Sequence, residues 1–124
     1  MQVKSLVWLG TRTEKFTETV TFFRDVMGLT PFHEGDGVSV LRTPGGDWLE
    51  VFGPDDPHHA HFNTGPVGEF LVDDVAEARA ELESQGVEFI ADTHSWDDYV
   101  WAHFRGPDGN IWGITSGPYA EETK

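Results

Sequence analysis

Glu50 is the side chain in this sequence best suited to do chemistry. Within Asp47-Trp48-Leu49-Glu50-Val51-Phe52, strand alternation sends Trp48, Glu50 and Phe52 to one face and Leu49 and Val51 to the other. A carboxylate among aromatic rings costs several kcal/mol unless it is paired, solvated or protonated. Glu50 is therefore a candidate acid–base group or counter-charge for a bound cation. His103, in the strand-like run Tyr99 to Arg105, can give or take a proton near neutral pH and could work with it. The inert readings are a carboxylate facing bulk water and a histidine hydrogen-bonded within its sheet.

Other constellations carry less. His58, His59 and His61 have the donor atoms of a metal site, but in a flexible linker they would lack the outer groups that orient ligating histidines. The pairs Asp55-Asp56, Asp73-Asp74 and Asp97-Asp98 read as turn and cap residues. Glu77, Glu81 and Glu83 read as a solvated helix face. The pattern Gly-x-Ser-x-Gly of a nucleophile elbow is absent. With no cysteine there is no thiolate chemistry, disulfide or sulfur-based metal site. The 22 acidic against 8 basic residues, a formal charge of −14, would repel nucleic-acid phosphates and anionic membranes. No apolar run reaches the roughly 18 residues of a membrane span or has the form of a signal peptide. These features predict a cytoplasmic protein with neither nucleic-acid nor membrane partners.

These residues must be held by elements, and the elements repeat. The run from Arg42 to Val51 lies over the run from Arg105 to Ile114 at a constant offset of 63 residues, and Gly28–Phe32 lies over Gly86–Ile90 at 58. The chain therefore reads as two copies of one unit, residues 1–54 and 65–118, joined by a linker over 55–64 and followed by a tail over 119–124. Leu6–Gly10 and Val67–Val72 have strand length and composition. Phe16, Val20, Phe23 and Met27 form one helical stripe, and Asp74-Val75-Ala76-Glu77 reads as a helix start above a stripe of Val75, Ala78 and Leu82. Gly28 and Gly86 supply the left-handed stops. Turn signals at Glu34–Gly37, Pro44–Gly46, Ser95–Asp98 and Pro107–Gly109 separate three further strands in each copy. The order is βαβββ–βαβββ. Half of it would expose half a core, so 1–118 is expected to be a single domain.

The run Phe22-Phe23-Arg24-Asp25-Val26-Met27-Gly28-Leu29 resembles the FYRDVLGL helix end of the vicinal oxygen chelate superfamily. The run from His103 to Trp112 resembles its FRDPDGNLWEL hairpin. That superfamily holds glyoxalase I, extradiol dioxygenases, fosfomycin-resistance transferases and bleomycin-binding proteins. The resemblance covers nearly the whole chain and implies an α+β fold in which two tandem βαβββ modules form one cup-shaped mixed sheet. It also implies a homodimer, since members commonly pair. In metal-dependent members a divalent cation is held by His or Gln on the first strand and Glu on the last strand of each module. Those positions fall here on Trp8, Glu50, Val67 and Gly113. Only Glu50 has an oxygen to donate, and one carboxylate will not hold a hard cation against water.

No metal and no other cofactor is therefore expected. The same resemblance places Trp101 and His103 on the cup face. Parity adds Trp8, Val67, Glu69 and Leu71 to the wall that carries Trp48, Glu50 and Phe52. The expected site has Glu50 and His103 as its polar, potentially catalytic centre, with Trp8, Trp48, Phe52, Val67 and Trp101 contacting the ligand. Its composition suits a small, partly aromatic organic molecule. The alternative is a metal-dependent lyase, isomerase or dioxygenase of the same superfamily whose ligands have moved to Glu50, His103 and a linker histidine such as His61.

Overall fold

The structure is a computed structural model and describes residues 1–119. The first copy contains β1 (Ser5–Arg12), α1 (Phe16–Thr21), β2 (Thr30–Gly35), β3 (Val38–Arg42) and β4 (Trp48–Phe52). The second contains β5 (Val67–Leu71), α2 (Val75–Ser84), β6 (His94–Trp96), β7 (Tyr99–Arg105) and β8 (Ile111–Ser116). The class is α+β and the order is the tandem βαβββ that the repeat predicts. The chain divides into two compact units, Trp8–Pro66 with Tyr119, and Met1–Val7 with Val67–Pro118.

In the first unit the strand order is β2-β3-β4-β1. β1 runs parallel to β4, with Trp8 opposite Trp48 and Gly10 opposite Glu50. β3 runs antiparallel to β4, with Val40 opposite Glu50. β4 alternates as its sequence predicts: Leu49 and Val51, with Leu41 of β3, pack with Val20, Phe16, Phe23 and Leu29 in one apolar cluster on the helix side. Trp48, Glu50 and Phe52 consequently face away from the helix.

The expected helical stripe is corrected at its end. After Thr21 the helix widens into a π-helical segment, Phe22–Val26, in which the Met27 N–H donates to the Phe22 carbonyl at 3.0 Å. The five-residue step shifts the register of the stripe. Met27 is left 57% exposed, and Leu29, beyond the left-handed Gly28 (φ +80°), takes the core position.

In the second unit the order is β5-β8-β7-β6, the same arrangement one repeat later. β5 is parallel to β8 and β7 is antiparallel to it. Asp74 caps α2, its carboxylate accepting from the Glu77 N–H at 3.0 Å. Val75 and Ala78 bury against Val72, Ala102 and Ile114, with Leu82, Phe89, Val100 and Phe104 packed around them. Because Ala102 and its alternate neighbours take the helix side, Trp101 and His103 face away from α2. Between α2 and β6, Phe89 makes only an isolated bridge to Phe104, and β6 pairs antiparallel with β7. The N-terminus belongs to this unit, since the Lys4 N–H donates to the Leu71 carbonyl at 2.9 Å and the terminal ammonium pairs with Glu81.

Candidate functional site

On the helix-free face of the first unit, the Trp8 indole N–H donates to Glu50 Oε1 at 3.0 Å. The register explains how it reaches. Gly10, not Trp8, stands opposite Glu50, and the Trp8 ring lies along its strand over Gly10, where an added Cβ would overlap it. Trp8 and Trp48 are buried and Glu50 is partly exposed. Glu50 is thus anchored by an aromatic donor on a predominantly apolar face.

The rings beside this pair pack closely on one another. Phe52 is 1% exposed and lies 6.3 Å from Trp8 between ring centroids. Its other contacts are the His59 ring, stacked at 3.7 Å and 14°, and Phe62 at 5.8 Å. Phe62 also meets Trp8 edge-on at 6.0 Å. A second cluster joins Trp48 to Phe32 and Tyr119, each at 5.0 Å, with the Arg42 guanidinium over Phe32.

The expectation that the linker histidines lack an outer shell is corrected by His59. Its Nδ1 is 2.7 Å from the Asp56 carboxylate, and Asp56 also accepts from the His58 N–H. A carboxylate hydrogen bond on one side and a stacked phenyl ring on the other hold the imidazole in one orientation. The signal that could have found this was the apolar Phe62 just beyond a run of turn formers.

On the helix-free face of the second unit, His103 Nε2 lies 2.5 Å from Glu69 Oε2, with both side chains 3% exposed. Burial pushes the Glu69 carboxyl well above its usual range. Burial first, and the neighbouring His94 second, push the His103 imidazole down to about 4. Both shifts favour the uncharged forms. Parity placed Glu69 on this face without giving it a role. What pairwise reading missed is the row across three strands, in which Glu69 stands opposite Gly113 and Gly113 opposite His103. Val67 lies fully buried on the same strand as Glu69, and the Trp101 ring stands 6.2 Å from His94.

Trp8, Glu50, Val67 and Gly113, the positions to which the resemblance assigns the metal ligands, do not supply the donors that a cation needs. Trp8 presents an N–H donor, already directed at Glu50, while Val67 has no heteroatom. A side chain at Gly113 would enter space held by Glu69 Cγ and His103 Cδ2, 2.7 and 2.9 Å from its Cβ. Among the described residues no group of three or more His, Asp or Glu side chains is arranged to hold a metal.

A family model described as Glyoxalase/Bleomycin resistance protein/Dioxygenase superfamily matches residues 5–114. Solved structures similar in fold include the Mn(II)-bound glyoxalase from Novosphingobium aromaticivorans, 19% identical at a TM-score of 0.73, with 93% of this chain and 39% of that one covered. Methylmalonyl-CoA epimerase from Mycobacterium tuberculosis is 18% identical at 0.72, covering 92% and 88%. A superfamily member from Vibrio splendidus 12B01 is 15% identical at 0.67, covering 94% and 100%. No protein of curated function matches the sequence.

Proposed function

Because this chain belongs to the glyoxalase/bleomycin resistance protein/dioxygenase superfamily, yet has Trp8, Val67 and Gly113 at three of that family's four ligating positions, we propose that it binds a small, partly aromatic organic molecule without the family's metal. The observation that carries this reading is the Trp8–Glu50 hydrogen bond. It turns the one ligating position that kept an oxygen into part of an aromatic, hydrogen-bonded wall. On the first unit's helix-free face the proposed ligand contacts are Trp8, Trp48 and Phe52, with Glu50 as the polar anchor. On the second unit's they are Val67 and Trp101, with His103 as the polar anchor. A protein of charge −14 favours a cationic or neutral ligand over an anionic one. Indole faces together with a carboxylate suit an amine or a basic antibiotic-like compound, which the protein either sequesters or transforms without a metal. We further propose that it works in the cytoplasm as a homodimer, for which sedimentation at tens of micromolar, an order-of-magnitude choice, is the check.

The test is a thermal-shift screen of cationic, neutral and anionic aromatic compounds, followed by two variants. Trp101→Ala should weaken every ligand through lost stacking, whereas Glu50→Gln should weaken charged ligands far more than neutral ones. If both variants bind every ligand as the parent does, these faces are not the site. Among the described residues no helix is long and apolar enough to cross a membrane.

A further inference from the structure

The second unit holds a buried acid–imidazole pair that meets across Gly113. Glu69, Gly113 and His103 occupy directly opposed positions on three adjacent strands. Glu69 and His103 are therefore separated by a whole intervening strand, yet their side chains meet at 2.5 Å. They meet because the middle residue has no side chain: a Cβ at Gly113 would stand 2.7 Å from Glu69 Cγ and 2.9 Å from His103 Cδ2. Contacts under 3.0 Å are essentially never seen for a real Cβ, so even alanine would force the pair apart.

We propose that Glu69 is the positioning residue of His103, reaching it through the gap left by Gly113, and that the pair shares one proton so that His103 always carries a hydrogen on Nδ1. In one form the Glu69 Oε2–H donates to a bare Nε2 and the ring's own hydrogen is on Nδ1. In the other, that shared proton has crossed to Nε2, leaving a carboxylate and a ring with hydrogens on both nitrogens. The two forms differ only in where one proton sits, and Nδ1 bears a hydrogen in each. Burial of both groups, with the raised Glu69 and lowered His103 already described, agrees with a pair that is neutral overall.

Nitrogen-15 NMR of histidine-labelled, ligand-free protein at neutral pH tests the proposal directly. The expected spectrum gives His103 a protonated Nδ1 and a strongly deshielded proton shared between Nε2 and Glu69. Glu69→Gln, which keeps the shape but removes the acidic proton, should abolish the deshielded signal. Gly113→Ala should abolish it through steric separation. A parent His103 with a bare Nδ1 would overturn the proposal. So would a deshielded signal that survives Glu69→Gln, or that survives in a folded Gly113→Ala protein. If Gly113→Ala does not fold, the near-isosteric Glu69→Gln spectrum decides alone. Because no ligand is present, failure here is distinguishable from failure of the screen for aromatic ligands.

Discussion

At the level of single residues, the two helix-free faces solve one problem twice. A polar group on an apolar sheet face needs a partner, and in both units the partner reaches it over a glycine: Trp8 over Gly10 to Glu50, and Glu69 over Gly113 to His103. Removing the indole donor by Trp8→Phe should cost on the order of 1–3 kcal/mol in denaturant unfolding, from the lost hydrogen bond together with the lost packing of the larger buried ring. The buried acid–imidazole pair makes a prediction in pH. An acid with a raised folded pKa stabilises the fold below its unfolded value near 4.5 and loses that contribution as pH rises toward its folded value. A histidine lowered from 6.5 to about 4 does the reverse, adding stability as pH rises from about 4 to 6.5. Between pH 4.5 and 6.5 the two slopes oppose, so the pair predicts a plateau that falls away on either side. Glu69→Gln removes only the first slope. The stability of the parent relative to that variant should decline as pH rises above 4.5, by at most about 1.4 kcal/mol per pH unit. A constant difference across that range would contradict the neutral pair.

At the level of elements, two local devices shape the helix ends: the Asp74 cap of α2 and the π-helical step after α1. Asp74→Ala should cost about 1 kcal/mol, because the Glu77 N–H that it caps would lose its acceptor. Met27→Gln should change stability by less than about 0.5 kcal/mol, since the π-helical step leaves Met27 exposed. Val51→Ala, in the apolar cluster beneath α1, should cost on the order of 2–3 kcal/mol. Thermal or denaturant unfolding of the three variants checks all of these values. The contrast between Met27 and Val51 also shows what the sequence could convey. Strand parity at Trp48–Phe52, the Asp74 cap and the glycine stops were legible because each is decided by neighbours in sequence. The π-helical turn was not, because Phe16, Val20, Phe23 and Met27 keep α-helical spacing while packing selects Leu29 instead. His59 stacked on Phe52, and Glu69 beside His103, were equally illegible. The first depends on how the linker after β4 folds back on it, and the second joins residues distant in sequence through a strand register that no single strand reveals.

At the level of the whole molecule, family membership gives the fold, and the identity of four side chains decides what the fold can hold. Of the four positions to which the resemblance assigns metal ligands, Trp8, Val67 and Gly113 offer no side-chain lone pair, and Glu50 accepts from the Trp8 indole. The central claim is that small organic ligands bind without a metal. The direct measurement is the thermal shift produced by an aromatic ligand found in the screen, recorded on protein stripped with chelator and again after adding manganese, nickel or zinc, with metal content determined on the same samples. Metal-free binding requires the same rise in melting temperature in every sample and no stoichiometric metal retained after dialysis. A rise that appears only when metal is restored, with one equivalent of metal retained and lost again in Glu50→Gln, would contradict it.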